Sequence, residues 1–186
     1  MRPYGPALHR FDHRRFLWIV LIVSASLLLS LVFACAAPFA GLAALAALKL
    51  TRREAMIVVL LGFLANQAIG FGALDYPRDA STFAWGAAMG AAALASLLSA
   101  EAARRGLRDA HGLARGGAAF SAAFLAYEAA LCAATFVLGG AEAAFAWPAI
   151  GQVLLIDVAS FVGLLALDGA MSAIGLAPRK ASVASA

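Results

Sequence analysis

Three carboxylates interrupt otherwise apolar runs of this chain: Glu128, Asp157 and Asp168. An ionisable side chain inside a membrane-length stretch is costly and marks a partner, a cavity or a function. Ser121 and Thr135 stand seven residues to either side of Glu128 and share its helical face, with Phe124 and Cys132 one turn away. Phe120, Phe124 and Tyr127 add an aromatic flank. Asp157 and Asp168 are separated by close to three helical turns, and Ser160 and Ser172 fall near the same face. A further polar spot, Asn66-Gln67, lies deep in another apolar run among Gly62, Gly70 and Gly72.

Asn66, Glu128 and Asp157 are expected at middle-to-outer depth on three different helices. If these faces converge, they line a polar cavity open to the outside and roofed by the 74–81 and 139–148 loops. Aromatic neighbours suit a ring-bearing ligand, and carboxylates one with donors or positive charge. The candidate substrate-binding set is therefore Asn66, Gln67, Tyr76, Trp85, Phe124, Tyr127, Glu128 and Asp157. Against it stands the plainer reading that each polar group bonds a neighbouring helix, and that Tyr76 and Trp85 are interface anchors. Asp168 is expected to pair with a cytoplasmic arginine.

The elements that must position these groups are membrane helices. Of 186 residues 64% are hydrophobic and only 13% charged, about half the charge of a soluble domain. Apolar runs of spanning length recur, which points to an all-α integral membrane bundle; a strand-built barrel would show short alternating segments. The net charge of +4 belongs to loops flanking apolar spans and does not imply nucleic acid. Cys35 and Cys132 lie in or beside apolar runs and read as small hydrophobes, without a disulfide framework or metal site. No phosphate-binding loop, H-E-x-x-H pair or G-x-S-x-G elbow occurs, and His9, His13 and His111 fall in cytoplasmic segments, so neither catalysis nor a resident cofactor is expected.

In chain order, a basic tail (1–15) precedes a span at 16–35. Pro38 then breaks an apolar stretch that, as one helix, would be far longer than the hydrocarbon core. The second segment, 39–50, is short for a span and is expected to be tilted or re-entrant. Further spans fall at about 55–73, 82–101, 117–138 and 149–176, with a cytoplasmic tail at 177–186. Six spans place every basic residue except Arg78 on one side, whereas five would scatter the basic loops over both; the positive-inside rule selects six, with both termini cytoplasmic. The first span with Ala34, Cys35 and Ala36 also fits a cleaved leader, although its apolar run is long for one. Small residues should mediate helix packing: the Gly86/Gly90 step, the Gly62–Asn66–Gly70 face, and Ser26, Ser30 and Ala34 on the first span. Trp18, Trp85 and Trp147 are placed near the membrane boundaries, as aromatic belts require.

A small, alanine-rich, six-span layout with both ends inside, together with the stretch Arg52–Trp85, resembles the substrate-binding S components of energy-coupling-factor vitamin transporters. That resemblance implies capture of a vitamin or precursor in an outward pocket. It also implies association with a transmembrane coupling subunit and ATPases through small residues of the first helix, here Ser26, Ser30 and Ala34. Nickel and cobalt relatives depend on an N-terminal histidine; Met1-Arg2 stands here instead, against metal. The expected function is a substrate-binding subunit in the inner membrane for a small vitamin- or cofactor-like solute. The alternatives are a non-transporting accessory subunit of a membrane complex and a proton-coupled carrier using Glu128.

Overall fold

The computed structural model describes residues 13–32, 38–139 and 147–176, with side chains left aside at 30–32 and 147–149. The described residues form six helices and no strand: α1 (His13–Val32), α2 (Phe39–Lys49), α3 (Arg52–Ala73), α4 (Ala80–Gly106), α5 (Gly112–Leu138) and α6 (Trp147–Ala173). α3, α4, α5 and, over Ile150–Ala173, α6 are long and apolar enough to cross a bilayer, which marks the chain as membrane-embedded. Helices α3, α4 and α5 overrun their expected spans at the basic end, α4 through Arg104 and Arg105 and α5 from Gly112. A helix need not stop where its apolar run does, because long basic side chains reach back toward water.

Helix α2 is different in kind. Its 11 residues give a rod of about 16 Å, roughly half a hydrocarbon core. Every residue from Phe39 to Ala47 is buried. A helix apolar on all sides must be covered on all sides, and α3, α4, α5 and α6 supply the cover. Alanines at 40, 43, 44, 46 and 47 let those helices approach closely, which is how helices associate where lipid gives no hydrophobic drive. With α2 on the axis, α3 makes no substantial contact with α5 or α6 among the described residues.

The other interfaces follow the same small-residue logic. Ala92, Ala93 and Ala100 of α4 and Ala119 and Ala123 of α5 are all buried, and the Ser96 hydroxyl donates to the Ala123 carbonyl at 2.9 Å. The Gly86/Gly90 step of α4 receives α3 side chains: an added Cβ would stand 3.1 Å from Gln67 Oε1 and 2.9 Å from the Phe63 ring. On α1, Trp18, Ile22 and Ser26 are buried, one turn apart on the inward face. The outer surface carries Leu28, Leu64, Leu125, Phe136 and Leu155, all exposed and suited to lipid.

One end of the bundle is tied together by charge. Arg15 at the start of α1 meets Glu54 at the start of α3 (2.7 Å), and Glu54 also accepts the Thr51 N–H and hydroxyl (3.0 and 2.6 Å), capping α3. Glu101 near the end of α4 receives Arg105 at 2.7 Å and Arg52 at 3.7 Å. At the other end Asp79 caps α4, accepting the Thr82 N–H at 2.8 Å, and that bond holds its carboxyl below the usual carboxylate range.

Candidate functional site

Pro38 precedes α2 and has no side chain with which to cap it. The Leu42 N–H closes the first turn onto the Pro38 carbonyl at 3.1 Å, which leaves the N–H groups of Phe39, Ala40 and Gly41 without helical acceptors. Asp157 of α6 supplies the missing acceptor. Its Oδ1 receives the Gly41 N–H at 3.2 Å, and the Ala40 N–H is also directed at this carboxylate. A carboxylate at a helix N-terminus meets the positive end of the helix dipole as well. Glycine at 41 allows the close approach, since a Cβ there would lie 3.2 Å from both the Asp157 carbonyl oxygen and the Phe161 nitrogen.

Beside this cap stand Tyr127 and Glu128 of α5. Tyr127 packs on Phe39 at the same end of α2 that Asp157 caps, and Glu128 follows it on α5. Tyr127 is buried, whereas Glu128 is half-buried and makes no hydrogen bond or ion pair among the described residues. Phe39, the first residue of α2, packs its ring 6.1 Å from Tyr127 and 6.2 Å from Phe63 of α3. One turn down α5, Phe124 is buried next to Phe120, and Phe120 stacks on Phe161 of α6 at 5.0 Å. The structure thus brings together Tyr127, Glu128 and Asp157, with Phe124 flanking them.

The remaining candidates belong to the α3–α4 hairpin. Gln67 lies against Gly86, and Asn66 is half-buried with a contact of its own. Tyr76 folds its ring over Gly70, 2.7 Å from where a Cβ would be, while its N–H bonds the Gly70 carbonyl at 3.1 Å. It is edge-on to Phe71, which stacks on Phe83 at 5.0 Å. Tyr76 therefore anchors the turn that closes α3, and Trp85 is half-buried near the start of α4. The hollow expected between Asn66, Glu128 and Asp157 is occupied by the N-terminus of α2, with Phe39 standing between the two groups. A short apolar segment after a proline reads equally well as a peripheral re-entrant piece, and nothing in its composition places it on the axis. Of the anticipated roof, 140–146 lies outside the described residues, as do Ala34 and the side chain of Ser30; Ser26 faces into the bundle.

Asp168 is ion-paired, but with a lysine and not the arginine expected of it: Lys49 Nζ at the end of α2 lies 2.6 Å from Oδ2. Its second partner was not foreseen. Trp18, expected at a membrane boundary, is fully buried and donates its indole N–H to Asp168 Oδ1 at 3.0 Å. Near this end a cavity of about 870 Å³ opens among Arg15, Lys49, Arg104 and Arg115; the only sequence signal for it is the density of arginine around 104–115. Comparison with family models, with curated proteins and with solved structures finds no match to this chain.

Proposed function

We propose that this chain is a multi-pass inner-membrane capture subunit for a small ring-bearing solute with positive charge or hydrogen-bond donors, crossing the bilayer six times with both termini cytoplasmic. One observation carries the reading. Among the described residues five acids lie in the apolar helices, and the three at the basic end, Glu54, Glu101 and Asp168, each have a cation within 2.7 Å. The two at the other level, Glu128 and Asp157, have none among the described residues. Two uncompensated carboxylates beside an aromatic flank favour a ligand that brings the missing charge or donors. Glu128, Asp157 and Tyr127 would hold the polar part and Phe124 the ring. Hand-over to a transmembrane coupling subunit and ATPases rests on the likeness to energy-coupling-factor S components.

A second reading has its own observation: Asp157 is already bonded to Gly41, which suits an accessory subunit in which these acids only build the bundle. A screen of purified protein by thermal shift against ring-bearing organic cations and neutral heterocycles separates the two. A hit that is lost in both Glu128→Gln and Asp157→Asn, whose own melting temperatures stay near wild type, supports capture. Undiminished binding in both variants removes the proposed pocket. Liposome uptake of the same compound without any partner, abolished in Glu128→Gln, would instead make the chain a proton-coupled carrier.

A further inference from the structure

At the opposite end of the bundle from Glu128, the cavity of about 870 Å³ is walled by cations from four different helices: Arg15 of α1, Lys49 of α2, Arg104 of α4 and Arg115 of α5. Two of the four are engaged, Arg15 with Glu54 and Lys49 with Asp168. Arg104 and Arg115 form no ion pair among the described residues; Arg115 reaches only the Arg108 carbonyl, at 3.3 Å. Among the described residues, Arg15 and Arg104 each hold a buried Nε–H without an acceptor. Four cations against two acids leave the wall of this cavity with positive charge that no group among the described residues offsets, and an anion would complement it.

The remaining wall is hospitable to an anion with an apolar tail. The N-terminus of α5 opens onto the cavity at Gly112 and Leu113, and His111 gives it no side-chain cap, so its free N–H groups add a positive field. Gly112, Gly116 and Gly117 border open space, since a Cβ at any of them would meet nothing within 4 Å. Helices α5 and α6 touch only sparingly, and Val162 and Leu165 of α6 carry the cavity wall onto the lipid-facing surface, where Val162 is 59% exposed.

We propose that this cavity holds the phosphate headgroup of an anionic phospholipid, with an acyl chain leaving between α5 and α6. Basic pockets between membrane helices, at the level of a charged leaflet, are the electrostatic complement of such a headgroup. The site is distinct from the Glu128–Asp157 level, so its failure leaves the capture reading intact.

The test uses delipidated full-length protein titrated with phosphatidylglycerol or phosphatidylcholine in mixed micelles, with bound lipid counted by native mass spectrometry. Phosphatidylglycerol is expected to bind at least tenfold more tightly than phosphatidylcholine. Arg104→Gln with Arg115→Gln, which breaks no ion pair, is expected to weaken phosphatidylglycerol binding roughly thirtyfold, from about fivefold per basic residue. Arg53→Gln with Arg108→Gln removes equal charge from the same end outside the cavity and is expected to change little. Gly116→Leu fills the space without altering charge and should also expel the lipid. Equal loss in the two double variants would overturn the proposal, reducing it to general surface attraction. So would unchanged binding in Gly116→Leu, or displacement of the lipid by glycerol phosphate or inorganic phosphate at equal concentration, which would make the ligand a soluble phosphate.

Discussion

The two ends of α2 are held by two aspartates of the same helix, and they are held differently. Asp157 and Asp168 are separated along α6 by about 16 Å, the length of α2 itself. Asp157 grips the N-terminus through a backbone N–H, while Asp168 grips the C-terminus through the Lys49 ammonium and adds the Trp18 indole. Both are almost fully buried. One carboxylate is thus neutralised by a full charge, whereas the other meets helix-terminal N–H groups and no cation among the described residues. The same residue type at two levels of one helix makes an ion-locked end in one place and, among the described residues, an open end without a cation in the other.

The largest effect should come from breaking the locked end. Lys49→Met leaves the Asp168 carboxylate buried with only Trp18 beside it, and an uncompensated buried charge costs about 3 kcal/mol or more. The lower part of that range is expected, because the Lys49 side chain is 37% exposed and water already screens the pair. A large fall in melting temperature in detergent is the readout. Adding Asp168→Leu should restore most of it, apart from about 1 kcal/mol for the Trp18 N–H that loses its acceptor. If the single and double variants melt together, the ion pair is not what holds this end.

The open end is expected to respond more gently. Asp157→Leu removes the acceptor from the first turn of α2 and should cost about 1–2 kcal/mol, as loss of a helix cap does. Asp157→Asn keeps an oxygen in place and should cost much less. Gly41→Ala probes the same contact from the other side, forcing two backbones apart at a 3.2 Å approach, with a cost of about 1–3 kcal/mol. Thermal melts of the three variants decide the matter: if Asn is as damaging as Leu, charge and not the hydrogen bond secures the N-terminus.

These interactions were unequally legible in the residues. The six helical segments follow from apolar runs and Pro38, and a cation for Asp168 follows from its place near the arginine-rich end, although Lys49 of α2 supplies it in place of the expected arginine. The partner of Asp157 was hidden because a backbone N–H leaves no trace in composition. The burial of α2 was hidden for a related reason: alanine, leucine and glycine suit a lipid-facing helix and a protein-covered one equally, and only the 11-residue length hints that lipid is not its surroundings. Trp18 misled because an aromatic near a helix end fits a membrane boundary until its indole is seen donating inward. Asn66 and Gln67 were correctly read as polar spots inside a span, but α2 separates their helix from α5 and α6.

Asp79 supplies the smallest effect and the sharpest control for the Asp157 contact. It too caps a helix, accepting the Thr82 N–H at 2.8 Å, but it does so from its own chain segment and in full contact with water. In water an unmade hydrogen bond is replaced by one to solvent, whereas among packed helices it is not. Asp79→Ala should therefore lower the melting temperature less than Asp157→Leu does. Its pH dependence has a definite sign. The folded carboxyl titrates below its ordinary value of 3.8 because the Thr82 N–H favours the charged form. The contribution is complete above that value and disappears as pH falls through the lower folded one. The melting gap between wild type and Asp79→Ala should accordingly be constant from pH 7 to 5 and close below pH 3.8. A gap as large as that of Asp157→Leu would mean that burial adds nothing to the grip on α2, and the contrast between the two ends would have to rest on Lys49 alone.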